Sequence, residues 1–209
     1  MIDITREGGL WVVTLNRPDK ANSLTAEMLA ELCDLVEVGA EDPDLRVFVL
    51  TGAGERVFSA GADLEEARAG LATSGLWERL SAAIAALPCL TIAALNGTLA
   101  GGAFGMALAC DLRIAVRGAR FFYPVAKLGF LPQPSDPVRM AALIGPARTK
   151  LVLLAGQKLS TDEALAFGLI DRIVPGDVVQ AASDLASDAL AGDRDVMRKI
   201  KVMCAGPVR

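Results

Sequence analysis

Two short stretches of small residues offer the groups best suited to chemistry in this chain. The first is Ser59-Ala60-Gly61-Ala62-Asp63, and the second is Asn96-Gly97-Thr98-Leu99-Ala100-Gly101-Gly102. Each follows an apolar, strand-like run and leads into a helix-like stretch. Two such turns can aim two backbone N–H groups at one point, and two convergent N–H groups form an oxyanion hole. The pair therefore predicts the stabilisation of negative charge on a carbonyl oxygen.

The composition narrows the other chemistry that is open to the chain. Its 209 residues include no histidine, which removes the Ser-His-Asp triad, His-ligated zinc and the commonest general base. Acid–base chemistry is left to carboxylates, Tyr, Lys, Cys or water. The four cysteines, Cys33, Cys89, Cys110 and Cys204, lack a metal-binding spacing. We expect no metal, and we expect reduced, mostly buried thiols in a cytoplasmic protein.

Charge and hydropathy argue against nucleic-acid and membrane partners. The formal net charge is −4, whereas phosphate neutralisation needs a basic patch; the cluster at 198–201 is interpreted as a solvated helix face. The N-terminus has no apolar signal region. Residues 87–110 carry no charge and are long enough to span a bilayer. Pro88, Asn96 and four glycines interrupt them, which favours a buried strand, a turn and a buried helix.

The elements around the turns are predicted from apolar periodicity. Expected strands cover 2–6, 10–15, 47–51, 57–58, 90–95, 112–116, 119–122 and 170–174. Expected helices follow the N-cap Thr25 and cover 63–72, 76–86, 102–109, 137–144, 146–155, 160–167, 177–191 and 193–204. Strands separated by helices imply parallel pairing. The continuously apolar runs 47–51 and 90–95 are typical of strands buried on both faces.

Taken together, the motifs resemble the enoyl-CoA hydratase/isomerase (crotonase) superfamily. They follow the family order over nearly the whole chain, which makes the set specific although each motif alone is weak. They are Asn16-Arg17-Pro18, Asn22-Ser23-Leu24, Val49-Leu50-Thr51-Gly52, Phe58-Ser59-Ala60-Gly61-Ala62-Asp63, Ile92-Ala93-Ala94-Leu95-Asn96-Gly97, Gly101-Gly102, Ala107-Leu108-Ala109-Cys110-Asp111, Lys127-Leu128-Gly129, Glu163-Ala164 and Gly168-Leu169-Ile170.

The resemblance implies an α/β fold, a crotonase-like spiral of β-β-α units over 1–175 that is followed by a shortened C-terminal helical segment over 176–209. It implies an acyl-CoA thioester ligand of the kind used in fatty acid metabolism, no cofactor other than the coenzyme A of that substrate, and a homotrimer or a dimer of trimers. The family also implies that the N–H groups of Ala62 and Gly102 hold the thioester oxygen. The CoA arm is implied to lie along 20–24 and 60–64, and the residues assigned to substrate binding are Lys20, Ala21, Asn22, Ala60, Gly61, Asp63, Leu64 and Gly101.

Two positions depart from the family pattern. Family hydratases carry one glutamate three residues after the oxyanion glycine, where this chain has Gly105. They carry a second after the proline of an F-G-x-P-E motif, where this chain has Val125. Neither residue can transfer a proton, and each lost acid–base group is worth roughly 10²–10⁴-fold in rate. Standard hydratase activity is therefore not expected.

Five polar residues have alternative interpretations. Tyr123 lies two residues from Val125, so in an extended segment both side chains face one side; it is either a proton donor in the pocket or a core aromatic with a satisfied hydroxyl. Asp136 is interpreted as the N-cap of a helix that starts at Pro137, in preference to a catalytic carboxylate. Asp63 has a second interpretation as a helix cap. Lys20 and Arg56 are candidates for phosphate contacts or ordinary exposed cations.

Two functions remain open. The first is an enzyme whose oxyanion hole stabilises a thioester enolate, with water, Tyr123 or substrate groups in place of two carboxylates. Decarboxylation, a step on a C–C bond and a weak hydratase/isomerase side activity all fit this function. The second is a non-catalytic acyl-CoA-binding or scaffolding member of the same fold. Turnover on acyl-CoA thioesters separates them.

Overall fold

Two β-sheets and their flanking helices make up the described part of the protein, residues 1–205 of a computed structural model. The strands are β1 (Ile2–Glu7), β2 (Leu10–Leu15), β3 (Val47–Gly52), β4 (Val57–Ser59), β5 (Leu90–Leu95), β6 (Thr98–Ala100), β7 (Leu112–Val116), β8 (Arg120–Phe122), β9 (Leu159–Ser160) and β10 (Arg172–Val174). The α-helices are α1 (Ala26–Glu41), α2 (Leu64–Arg68), α3 (Leu76–Ala86), α4 (Phe104–Ala109), α5 (Val125–Leu128), α6 (Ser135–Leu153), α7 (Thr161–Phe167), α8 (Val178–Leu185), α9 (Ser187–Ala191) and α10 (Arg194–Ala205).

A repeated strand pair organises the chain. The larger sheet has the order β1-β2-β3-β5-β7-β10, and the smaller has the order β4-β6-β8-β9. Each of the pairs β3–β4, β5–β6 and β7–β8 sends its first strand to the larger sheet and its second to the smaller. Within each sheet these neighbours pair in parallel. This confirms the predicted spiral of β-β units joined through helices.

The larger sheet is buried on both faces, as its apolar sequence predicts. Alternate residues of β3 enter different clusters: Phe48 and Leu50 join the main core, while Val47 and Val49 join a second cluster. Helix α8 covers that second face, where Ala182 is fully buried. A strand buried on both faces needs no polar alternation, which is why its sequence is continuously apolar.

Local signals set several helix ends. The Thr25 hydroxyl accepts a bond from the Met28 N–H at 3.2 Å, so α1 begins where predicted. The Ser160–Glu163 capping box at α7 is also confirmed, with both reciprocal bonds present. Such caps satisfy backbone N–H groups that have no partner inside the helix.

Other elements differ from the prediction. Strands β6 and β9 and the four-residue helix α5 were not predicted, because each is short and depends on its neighbours. The expected helix over 177–191 is divided into α8 and α9. The two helices expected on either side of Gly145 are assigned together as α6, and Gly145 interrupts them with φ 77°.

The uncharged segment 87–110 folds as β5, β6, a 3₁₀ turn and α4. Within residues 1–205, no helix combines the length and the apolar character needed to cross a bilayer. The basic cluster at 198–201 needs one correction. Lys201 is not simply solvated, since its Nζ lies 2.8 Å from Asp111 Oδ2 and donates to the Cys89 carbonyl at 2.8 Å.

Candidate active site

The two small-residue turns meet, as predicted. Gly61 has φ 92°, and a Cβ placed on it would lie 3.0 Å from the Gly102 nitrogen. Gly101 has φ 59°, and its Cβ would lie 3.2 Å from the Ala60 carbonyl oxygen. Only glycine combines this backbone conformation with so close an approach. The glycines therefore allow the two backbones to touch.

The two candidate donors, the N–H groups of Ala62 and Gly102, do not take part in the backbone hydrogen bonds that shape their turns. Ala62 forms a parallel bridge with Leu24. The two hydrogen bonds of this bridge are donated by the N–H groups of Leu24 and Asp63, each at 2.8 Å. Gly102 lies in the 3₁₀ turn Gly101–Ala103 that precedes α4. The first N–H groups of such a turn have no partner within it. Neither N–H is therefore used by the bonds that shape its own turn.

A cavity of about 120 Å³ lies where the turns meet. It is lined by Ala60, Ala62, Leu64, Ala67, Ala72, Trp77, Gly101, Gly102, Tyr123, Pro124, Val125, Leu128, Phe130, Leu131 and Gln133. Its wall is mostly apolar, and its rim includes Leu64 and Leu131, which are 71% and 85% exposed. Trp77, which sequence reasoning missed, is buried behind Gly102, with ring atoms 3.4 Å from the position of a Cβ on that residue. The lining suits an acyl chain beside a polarised oxygen.

The loop before α1 is bound to the first turn by side chains. The buried Asn22 amide donates to the carbonyls of Ala53 and Val57 at 2.9 and 2.8 Å, and its Oδ1 accepts from the Arg17 N–H at 2.9 Å. The Ser59 hydroxyl donates to the Asn22 carbonyl at 2.7 Å. The Asn22 side chain therefore holds the loop together, and contact of Asn22 with a ligand stays a prediction.

Asp63 also has a structural role. Its carboxylate accepts from Arg17 at 2.8 Å and caps α2 through the N–H groups of Glu65 and Glu66. The bond from the Arg17 guanidinium holds the pKa of Asp63 below its usual value. The capping interpretation of Asp63 is confirmed. Arg17, which the sequence indicated only as part of a family motif, joins the two predicted CoA-binding segments.

Lys20 and Ala21 lie in the predicted CoA-binding segment 20–24, and Arg56 lies outside it; none of the three lines the cavity. Lys20 and Arg56 are exposed, and Ala21, with φ 53°, accepts the Ala60 N–H at 3.0 Å. Contacts of Lys20 and Ala21 with CoA stay predictions.

The two positions of the missing glutamates differ in their surroundings. Val125 begins α5 and lines the cavity. Gly105 is buried in α4, and a Cβ placed on it would lie 3.0 Å from Oδ1 of Asp136. Space for a side chain at position 105 is thus already occupied by a carboxyl group.

Asp136 is not a helix N-cap, contrary to the sequence interpretation. Helix α6 begins at Ser135, and the Asp136 N–H donates to the Gln133 carbonyl at 3.0 Å. The Asp136 side chain is fully buried and accepts the Tyr123 hydroxyl at 2.7 Å. Burial raises the pKa of Asp136 to about 6, against the opposing bond from Tyr123.

Tyr123 lines the cavity, but not for the reason given by the sequence. Strand β8 ends at Phe122, and Pro124 turns the chain into α5, so Tyr123 and Val125 do not share an extended segment. The Tyr123 ring stacks on Phe104, with centroids 5.3 Å apart. Burial, followed by the Asp136 charge, raises the pKa of Tyr123 well above its usual value.

Two of the described cysteines are poorly suited to act as nucleophiles. Cys89 and Cys110 are buried, which raises the pKa of each thiol to about 12. The thiolate is the reactive form of cysteine, so these two side chains act as packing groups. Within residues 1–205, no three Cys, Asp or Glu side chains cluster as a metal site.

Known proteins resemble this chain along nearly all of its length. A family model described as enoyl-CoA hydratase/isomerase matches residues 5–206. YngF of Bacillus subtilis (strain 168) is 36% identical over 196 residues, which cover 91% of this chain and 75% of that protein. Carnitinyl-CoA dehydratase of Escherichia coli (strain K12) is 35% identical over 195 residues, 88% of this chain and 72% of that one. The solved structure of DspI from Pseudomonas aeruginosa matches with a TM-score of 0.91 at 32% identity, covering 98% of this chain and 86% of that chain.

Proposed function

The chain belongs to the enoyl-CoA hydratase/isomerase family of acyl-CoA-processing enzymes, and we propose that it stabilises the enolate of an acyl-CoA thioester. The thioester oxygen accepts bonds from the N–H groups of Ala62 and Gly102, and negative charge develops on it as a C–H bond next to the carbonyl breaks. The CoA portion runs along 20–24 and 60–64. Trimeric assembly and a domain boundary at 175 stay predictions.

The proposal is carried by the contact between the two turns. A Cβ position on Gly61 lies 3.0 Å from the Gly102 nitrogen, and the two donor residues line one cavity. Donors fixed before the reaction need no reorganisation when charge develops, which is the main source of their effect. The short loops and the glycine contact provide that fixed arrangement.

Hydration is not the reaction that these residues favour. Carnitinyl-CoA dehydratase, a relative at 35% identity, is named for loss of water, and that chemistry requires groups that hold or protonate water. Positions 105 and 125 carry glycine and valine in this chain. We therefore propose enolate chemistry without water addition, such as proton exchange or movement of a double bond.

The test is deuterium incorporation at the α-carbon of butyryl-CoA, followed by mass spectrometry, in a matched pair of variants. Gly102→Pro removes the N–H while keeping a φ compatible with a 3₁₀ turn. Gly102→Ala keeps the N–H and adds a methyl in ordinary contact with Trp77, at 3.4 Å. We expect Gly102→Pro to lower exchange by about 10²–10³-fold and Gly102→Ala to retain most of it.

A non-catalytic acyl-CoA-binding protein is the second candidate, and the missing carboxylates at positions 105 and 125 favour it. Saturable binding of butyryl-CoA without exchange or product would support it over the enzyme. Absence of any acyl-CoA binding would contradict both functions. Hydration of crotonyl-CoA at the rate of exchange would contradict the argument from positions 105 and 125.

A further inference from the structure

The side chain of Asp136 is a buried carboxyl group, and one of its two oxygens accepts no hydrogen bond from the described residues. Its relative exposure is zero. Oδ2 accepts the Tyr123 hydroxyl at 2.7 Å, whereas Oδ1 has no hydrogen-bond partner among the described residues. Burying an unpaired polar atom costs free energy. A position that retains such a group calls for an explanation beyond packing.

The carboxyl group lies where a side chain at position 105 would project. A Cβ on Gly105 would lie 3.0 Å from Oδ1 and 3.6 Å from Oδ2 of Asp136. The two residues belong to different helices, α4 and α6, which pack against each other. A carboxyl group is therefore present beside Gly105, although that position, which was expected to supply one, has no side chain.

Tyr123 connects this carboxyl group to the cavity. It lines the cavity together with Ala62 and Gly102, and its hydroxyl contacts Asp136. Stacking on Phe104, with an interplanar angle of 11°, fixes the ring. From this arrangement we infer that Tyr123 is the catalytic acid–base residue of the proposed site, and that Asp136 positions it and holds the proton it passes on.

This inference rests on the proposed enolate chemistry and assigns its proton transfer. In the first step the bond between the α-carbon and its hydrogen breaks, and its electron pair forms the enolate. The α-proton goes to the Tyr123 oxygen, while the phenolic proton moves to Oδ2 of Asp136. Before the return step the protons held by Tyr123 and Asp136 exchange with solvent, which is how deuterium enters the substrate. Asp136 then gives its proton back to Tyr123, which protonates the α-carbon or, in an unsaturated acyl group, the γ-carbon. No water, oxidant or other reactant is consumed, so the substrate class is a thioester that undergoes a proton shift.

Three groups surround the Asp136 carboxyl and set its proton affinity. Tyr123 bonds to it, Arg139 lies on the same helix, and Glu78 faces it from α3. The Arg139 guanidinium donates to the hydroxyls of Ser81 and Ser135, and Glu78 accepts from the Ser135 hydroxyl at 3.0 Å. Burial raises the pKa of Asp136 to about 6, while Tyr123 and Arg139 oppose that shift and Glu78 adds to it. A group of that pKa can exchange a proton near neutral pH.

The experiment measures kcat and KM for α-deuterium exchange of butyryl-CoA and for conversion of a 3-enoyl-CoA to a 2-enoyl-CoA between pH 4.5 and 8.5. Asp136→Asn and Tyr123→Phe each preserve size while removing the titrating or transferring group. We expect kcat to fall by roughly 10²–10⁴-fold in each, with KM nearly unchanged. In the wild type kcat rises with pH to a plateau, with an inflection near the pKa of about 6. Asp136→Asn loses that inflection.

Two further variants test whether the change in rate and in pH dependence comes from Asp136 itself. Asp162→Asn removes a carboxylate that is 74% exposed on α7 and leaves the rate and the inflection unchanged. Glu78→Gln removes the negative charge that raises the pKa of Asp136, so its inflection moves to lower pH. A role of Asp136 in packing alone predicts no movement of the inflection.

The outcomes separate this inference from the function on which it rests. If Asp136→Asn and Tyr123→Phe exchange at the wild-type rate while Gly102→Pro does not, the pair is a core hydrogen bond and only the inference fails. Binding of butyryl-CoA by the wild type without exchange overturns the inference and supports the binding protein. Failure to bind any acyl-CoA overturns the proposed function together with the inference.

Discussion

The fold and the proposed reaction favour opposite protonation states of Asp136. The proposed proton transfer needs an ionised carboxylate, yet burial disfavours the charged form of this side chain. Its Oδ1 has no partner among residues 1–205, so ionisation leaves charge without full hydrogen bonding. Stability and activity should therefore change in opposite directions with pH.

The first consequence is a measurable pH dependence of stability. The pKa of Asp136 is raised to about 6 in the fold, against roughly 3.9 in an unfolded chain. A raised carboxyl pKa favours the folded state at low pH, and that contribution is lost as pH rises from about 4 through about 6. Between pH 4 and pH 7.5 the free energy of unfolding of the wild type should fall relative to Asp136→Asn by on the order of 3 kcal/mol.

Urea titrations at several pH values measure this difference, and other titrating groups cancel when the two proteins are compared. Asp162→Asn serves as the control for loss of a surface charge, and its difference from the wild type should change little over the same interval. If the free energy of unfolding of the wild type relative to Asp136→Asn stays constant, or rises toward neutral pH, the Asp136 carboxyl is ionised in the fold without penalty.

At the scale of elements, the decisive feature is the contact between the turn after β4 and the turn after β6. Gly61 has φ 92° and would place a Cβ within 3.0–3.2 Å of three backbone atoms of the other turn. Backbone atoms cannot move aside as a flexible side chain can. Gly61→Ala should therefore separate the two N–H donors in addition to straining its own backbone.

Gly118 provides a matched control for the strain. It has φ 88° and no atom within 4 Å of a Cβ position, so alanine there carries only the conformational cost of about 1–2 kcal/mol. We expect Gly61→Ala to be less stable than Gly118→Ala and to lose exchange by about 10²-fold, since small misplacements of catalytic groups have effects of that size. Equal exchange in the two variants would argue that the contact between the turns does not position the donors.

The sequence predicts those helices and strands that are determined by neighbouring residues in the chain. Thr25 caps α1, and the apolar runs 47–51 and 90–95 form buried strands. The two turns were identified because glycine is needed where backbones approach. Strand β6 was missed because three residues carry little local signal and are held by pairing with β4 and β8.

The error at Asp136 has the same origin. Its position before Pro137 suggests a helix cap, because acidic residues commonly fill that role. The partner that redirects its side chain is Tyr123, thirteen residues earlier, and the space it fills belongs to Gly105 on another helix. Neither the contact with Tyr123 nor the contact with Gly105 can be predicted from the residues next to Asp136 in the sequence. Spacing in the sequence predicted the meeting of the two turns, but not the contact of Asp136 with Tyr123 and Gly105.

At the scale of the whole molecule, the spiral gathers the site from three repeats. Ala62 follows β4, Gly102 follows β6 and Tyr123 follows β8. These three strands are adjacent and parallel in the smaller sheet, and the carboxyl ends of parallel strands lie at the same edge. Each repeat thus brings one residue of the candidate site to the same edge of the smaller sheet.

A half-buried cation helps to join α10 to this framework. Lys201 of α10 contacts Asp111 at 2.8 Å and the Cys89 carbonyl at 2.8 Å, and Asp111 in turn accepts the Thr91 N–H and hydroxyl, each at 2.9 Å. These contacts connect the last helix with the starts of β5 and β7. Lys201 is 21% exposed and Asp111 is 30% exposed, so solvent screens the pair only in part.

Lys201→Met keeps much of the aliphatic stem and removes the charge. We expect it to lower the free energy of unfolding by about 1–2 kcal/mol, since bonds to charged groups are worth more than neutral ones but are weakened here by partial exposure. Lys199→Met, at an exposed position of the same helix, should stay within about 0.5 kcal/mol of the wild type. Urea unfolding should move to a lower midpoint with an unchanged slope for Lys201→Met alone. Equal midpoints for the two variants would mean that α10 is held by its apolar contacts and that the ion pair contributes nothing.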